Sequence, residues 1–371
     1  MSSIVDPIVP EPATGPPPEG GGTEGTPPPP VPSGWRSRLH RWAKPWRQAN
    51  RTARVLVVVG LVITLFFSVL ALFGDQIAPY DQDQYRFETG EVVNGVEQFE
   101  SIPRRSGPDG DYPMGTTVAR FDVFSRVIIG AKLAMGVVLL STVLAMLVGV
   151  PLGLLSGYVG GRIDRALVLV LDAIYAFPAL LLSIIVAFML KEYLDPGLPA
   201  AAVAVGVVYV PQYFRVIRNH TMSVKQEPFV EAARSLGAKP RIVVGRYIFF
   251  NVVQSVPVIF TLNAADAVLT LAGLGFLGYG VEYPAAEWGL DISRAISDTV
   301  SGTWWTAFWP GVAIMTLVTG LTLLGEGLND IINPLLRVKG YRGKVRSARD
   351  AITIAASSTA PAGSPTEAGE P

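Results

Sequence analysis

Two carboxylates stand inside stretches that are otherwise apolar and uncharged: Asp172 within residues 166–190 and Asp266 within 248–280. An ionisable side chain in such a run is expensive, so its default roles are a solute or ion pathway, a proton relay, or a pairing with a neighbouring helix. Asp172 lies seven residues past Arg165, two turns along one helix face, which suits a structural ion pair or cap better than a relay. Asp266 lies eighteen residues past Ile248, near the far end of its run, where it either lines a substrate cavity or sits in interfacial water. Other chemistry is sparse. The chain has two histidines, His40 and His220, both beside basic residues, and no cysteine. A histidine zinc pair, a histidine-driven serine nucleophile, thiolate chemistry and disulfides are therefore excluded. No Gly-x-x-x-x-Gly-Lys-Ser/Thr occurs, so no P-loop cradles a nucleotide. The expectation is a chain that is not an enzyme and carries no cofactor or metal.

Glu231-Ala-Ala-Arg-Ser-Leu-Gly237 offers a different function. Pro228 suits a first helical position, and Gly237 with Pro240 reads as a stop, which predicts a helix over 228–236. Phe229, Ala232, Ala233 and Leu236 fall on one face, with Glu231, Arg234 and Ser235 elsewhere. A helix this short cannot cross a bilayer. Its apolar face needs either a groove on another molecule or the headgroup layer.

The elements that position these residues are membrane spans. Half the residues are hydrophobic, 16% are charged, and mean hydropathy is +0.39. A bilayer core needs about 20 apolar residues per helix. Six stretches qualify: 55–73, 133–161, 166–190, 198–214, 248–280 and 302–325, the fourth being the shortest. Lys and Arg concentrate before the first, between the second and third, between the fourth and fifth (Arg215 to Arg246), and after the last. Six spans put all four segments on one side, so both termini are expected to be cytoplasmic. The acidic loop 75–126 then faces outward. Its prolines and mixed charges suit a cover over the outer mouth that contacts a partner.

Residues 1–34, with Pro27-Pro-Pro-Pro30, and the end of the 338–371 segment lack the apolar content to fold, and no signal peptide is evident at the start. Residues 35–54 interleave Trp35, Trp42 and Trp46 with basic residues, which suits an anionic membrane surface better than nucleic acid.

Residues 50–340 resemble the permeases of dipeptide, oligopeptide and nickel ABC importers. The resemblance is carried by an ordered series: Met114-Gly-Thr116, Asp122-Val-Phe-Ser-Arg126, Gly157 to Asp164, Asp172 to Pro178, Glu231 to Gly237, Leu274 to Gly280, Trp288-Gly289, Pro310-Gly311, Gly325 to Asp330 and Pro334 to Arg337. It implies an all-α, six-span permease domain (55–337) of the type I importer fold in a bacterial inner (plasma) membrane. The acidic first outer loop and the long segment before span one suit the C-type subunit. The resemblance further implies a heterodimer with a second permease subunit, two ABC ATPase subunits on the cytoplasmic side and an extracytoplasmic solute-binding protein. In that family the helix at 228–236 couples the spans to the ATPase, which assigns coupling to Phe229, Glu231, Ala232, Ala233, Leu236 and Gly237. Three positions depart from the family. Ile248-Phe249-Phe250 stands where Ile-Leu-Pro is usual, Gly115 to Asp122 lacks two acids, and Leu271 replaces an acid. The other reading is a secondary carrier or channel coupled through Asp172 and Asp266.

Overall fold

The computed structural model describes residues 49–93, 96–195 and 197–332. The expected tail 1–34, the segment 35–54 apart from its last six residues, and the tail 338–371 lie outside them.

Five helices are long and apolar enough to cross a membrane: α1 Arg51–Ile77, α2 Val123–Val159, α5 Leu198–Val224, α7 Pro240–Phe276 and α9 Trp305–Ile332. Between α2 and α5 lie α3 Gly161–Tyr175 and α4 Ala179–Leu190, bent by 95° where one straight span was expected. The bend falls at Ala176-Phe-Pro178. Pro178 cannot donate to the helix before it, and it drives Phe177 away from helical geometry. The described chain thus has five spans, or six if the bent pair crosses once. The short helix α6 Pro228–Ser235 joins α5 to α7, and α8 Trp288–Val300, which hydropathy does not announce, joins α7 to α9. Within the outer loop, β1 Arg86–Val93 and β2 Val96–Ser101 pair antiparallel, so this helical domain carries one hairpin.

Two boundaries differ instructively from expectation. The fourth span does not stop at Phe214. It continues to Val224, so Arg215 and Arg218 ride on the membrane helix rather than in the cytoplasmic connection. The second begins ten residues before Leu133, where Asp122 caps α2 by accepting from Ser125 N at 2.8 Å and Ser125 Oγ at 2.6 Å.

Glycine sets the closest helix contact. In lipid no hydrophobic drive separates helix–helix from helix–lipid packing, so small residues that admit a neighbouring backbone hold spans together. Gly149, Gly153 and Gly157 form one stripe along α2 against α5. A Cβ on Gly153 would lie 2.8 Å from Phe214 O and 2.9 Å from Ile217 Cβ, and one on Gly157 would lie 2.7 Å from Thr221 Cβ. Gly60 on α1 and Gly320 on α9 meet in the same way. Around these seams Val137, Val205, Tyr213, Ile217, Leu271 and Leu317 are buried.

Candidate functional site

The short helix between the long spans α5 and α7 is α6. Pro228 opens the helix, Glu231 sits in its first turn, and Gly237 ends it with φ of +79°. Gly237 N donates to Arg234 O at 2.9 Å and Ala238 N to Ala233 O at 3.0 Å, the paired bonds of a Schellman stop. The apolar residues divide between two faces. Val230 and Ala233 are buried against the chain, while Phe229 is 42% exposed, Leu236 89% exposed, and Ala232 open as well. Ala233 therefore belongs to the inward face, not to the stripe of Phe229, Ala232 and Leu236. Val230, unmarked by the sequence reading, anchors that inward face.

Two cations tie this helix and its approach to the end of α2. Lys225 Nζ donates to Tyr158 O at 2.6 Å, covering a carbonyl of the last turn of α2. The Arg234 guanidinium lies 5.3 Å from the centroid of the Tyr158 ring. On its other side α6 leads into α7. That helix is irregular where the family's proline is missing: a π turn spans Val243–Ile248 and a 3-10 turn Val253–Ser255. The departure at 248–250 thus leaves the start of α7 irregular by another route, since π and 3-10 turns interrupt the regular ladder.

Above this region ion pairs fasten α3 to α5. Arg218 holds Asp164 through Nε at 2.6 Å and Nη2 at 2.8 Å, and Ser156 Oγ also bonds Asp164. Arg215 Nε and Nη2 both reach Asp172 Oδ1, at 3.2 and 2.8 Å, and its guanidinium lies 3.9 Å from the Tyr175 ring centroid. Asp172 is therefore half of an interhelical pair.

Asp266 shares a groove of about 550 Å³ with Arg215, Tyr175, Gln212, Asn263 and Thr322. Arg215 is nine residues from the C-terminal end of α5, and Asp266 is ten residues from the C-terminal end of α7. No hydrogen bond or ion pair to the Asp266 carboxylate occurs among the described residues.

The end of the domain opposite α6 is organised by Arg126, 3% exposed. Its Nη2 reaches Asp291 Oδ1 at 2.6 Å, its Nη1 reaches Gln82 O at 2.6 Å and Pro284 O at 3.0 Å, and Nη2 also reaches Ala285 O at 2.9 Å. One side chain so binds the loop after α1, the start of α2, the loop before α8, and α8 itself. Beside it Glu287 accepts from Gly289 N at 2.9 Å and Leu290 N at 2.6 Å, capping α8. Burial pushes its carboxyl up to about 7 against the pull of those two N–H groups. Arg126 stands in the sequence only as the last residue of the motif at 122–126 and Glu287 does not stand out, because all these partners are remote in the chain.

Residues 149–338 match the family described as binding-protein-dependent transport system inner membrane component, and residues 45–90 match the N-terminal TM domain of oligopeptide transport permease C. The glutathione transport system permease protein GsiD of Pectobacterium atrosepticum is 31% identical over 296 residues, covering 80% of this chain and 92% of its own. The dipeptide transport system permease protein DppC of Alkalihalophilus pseudofirmus is 32% identical over 300 residues, covering 79% and 91%. An inward-facing structure of the MetNI methionine ABC transporter overlaps 54% of this chain and 93% of its own at 19% identity, with a TM-score of 0.46, too partial an overlap to carry an argument.

Proposed function

Because the chain belongs to the binding-protein-dependent transport system inner membrane components, and is a membrane-spanning permease subunit, we propose that it lines half of the import path for short peptides or a similar small solute. The curated relatives named for glutathione and dipeptides support that solute class. A second permease subunit completes the path, a binding protein delivers the solute outside, and ATPase subunits dock below.

The observation that carries this reading is the exposed side of α6. Phe229, Ala232 and Leu236 form an apolar patch on a helix fixed at both ends, by Pro228 and by the Gly237 stop. A patch of that kind, on a helix too short to span, suits a protein groove. Phe229, Ala232 and Leu236 contact the ATPase. Glu231 adds a favourable charge at the helix N-terminus, while Ala233 and Gly237 keep the patch in place. Motion of the ATPase passes through Arg234 and Lys225 to the end of α2 and through the irregular start of α7. The differential free energy comes from ATP binding to the partner. The clustering of Lys and Arg supports a cytoplasmic position for α6 and for both termini in a bacterial inner membrane.

Reconstitution in liposomes with the partner permease, ATPases and binding protein is expected to give ATP-dependent peptide uptake. The purified single chain is expected to hydrolyse no ATP. Hydrolysis by the chain alone, abolished by a substitution within it, would overturn the assignment.

A further inference from the structure

The groove containing Asp266 presents opposite charges on one surface. Arg215 is fixed from one side by Asp172 and from another by the face of Tyr175, with Nε and Nη2 committed and Nη1 without a partner among the described residues. Asp266 contributes a carboxylate with no partner there. An unpaired carboxylate is a cost inside a membrane domain. Such groups persist where something intermittent satisfies them.

The geometry points to a passing solute with an ammonium at one end and a carboxylate at the other. Asp266 would take the free N-terminal ammonium of a short peptide and Nη1 of Arg215 its C-terminal carboxylate. Asp172 is then a positioning residue: it orients Arg215 and leaves one edge of the guanidinium to the groove. This inference rests on the import reading above and extends it by naming a transient solute site within this chain. The competing occupant is a cationic side chain of the second permease subunit.

The test uses the complete reconstituted complex, with tri-alanine bearing free termini as the probe. Because Asp266 is exposed in this chain and bonded to nothing described, Asp266→Asn is not expected to disturb folding. For Asp266→Asn, uptake is expected to fall about tenfold. ATP hydrolysis stimulated by peptide-loaded binding protein, subunit composition and melting temperature should stay unchanged, and Asp266→Glu should recover most of the uptake. Wild-type uptake by Asp266→Asn would overturn the site. So would a lowered melting temperature or loss of the second permease, which assigns Asp266 to the subunit interface. A wild-type complex that imports another solute but not tri-alanine would refute the zwitterion assignment alone. If the wild-type complex imports nothing, the parent reading fails and this one with it.

Discussion

Arg126 and Asp291, 165 residues apart in the chain, form a buried ion pair of 2.6 Å between the start of α2 and α8. Arg126 also donates to three backbone carbonyls, those of Gln82, Pro284 and Ala285. Removing one member of a buried pair leaves the other charge uncompensated, at a typical cost of about 3–5 kcal/mol. Arg126→Leu is therefore expected to lower stability by about that amount in denaturant titrations in micelles. The double change Arg126→Leu with Asp291→Leu should cost less than the sum of the singles. Strict additivity would show that the two side chains act independently.

Gly237 should be sensitive to backbone conformation and indifferent to size. A Cβ there would meet nothing within 4 Å, so crowding plays no part. Its φ of +79° costs a non-glycine residue about 1 kcal/mol or more, and a β-branched side chain adds its own restriction. Gly237→Ala is expected to reduce transport modestly and Gly237→Val strongly. Membrane levels and solute capture by the binding protein should remain normal, since no span is touched. Equal, wild-type transport by both variants, with the ATPase still bound, would remove α6 from the transmission path.

The α2–α5 seam is limited by size in the opposite way. Gly153→Leu would drive a side chain into Phe214 O and Ile217 at distances no real Cβ tolerates. Overpacking of this kind costs about 1–3 kcal/mol and often more where backbone is the obstacle. The expected outcome is a sharp drop in folded protein recovered from membranes. Gly245→Leu, where a Cβ meets nothing within 4 Å, should be recovered normally.

Those contrasts show what the sequence discloses. Spans are legible because a bilayer demands long apolar runs, and the end of α6 is legible because Gly and Pro act locally. The break at Phe177-Pro178 was visible as residues, yet hydropathy averaged it into one span. The two faces of α6 were merged because a helical wheel ranks Ala233 with Phe229, whereas burial of Val230 turns Ala233 inward. Gly149, Gly153 and Gly157 recur every fourth residue, a signal that span counting passes over. The contacts of Arg126, though it closes the motif at 122–126, and of Glu287 had no local signal, since their partners meet only in three dimensions. The length of helix around Asp266 was not legible from hydropathy, because α7 runs from Pro240 to Phe276 while the apolar run starts at Ile248.

Glu287 gives the domain a predictable pH dependence. Its folded carboxyl titrates near 7 against 4.5 in the unfolded chain, so the native state binds the extra proton between those values. Stability from this group is fully present below about pH 4.5 and is lost as pH rises through 7, by roughly 3 kcal/mol in all. Glu287→Gln should flatten that slope between pH 4.5 and 7 relative to wild type. An unchanged slope would place the proton elsewhere.

Orientation is open to a direct measurement because the chain has no cysteine. Gly110 lies in the loop between α1 and α2 with nothing within 4 Å of a Cβ, and Ala232 lies on the open face of α6. On the proposed orientation, with the Lys- and Arg-rich α6 side inward, Ala232 faces the cytoplasm and Gly110 the outside. In intact cells an impermeant maleimide should label Gly110→Cys and leave Ala232→Cys unmodified until the membrane is opened. Addition of the ATPase to opened membranes should then protect Ala232→Cys if the patch of Phe229, Ala232 and Leu236 is the proposed docking surface. Reversed labelling would invert the topology. Correct labelling without protection would keep the topology and remove that patch from the ATPase contact, so the two parts of the reading fail separately.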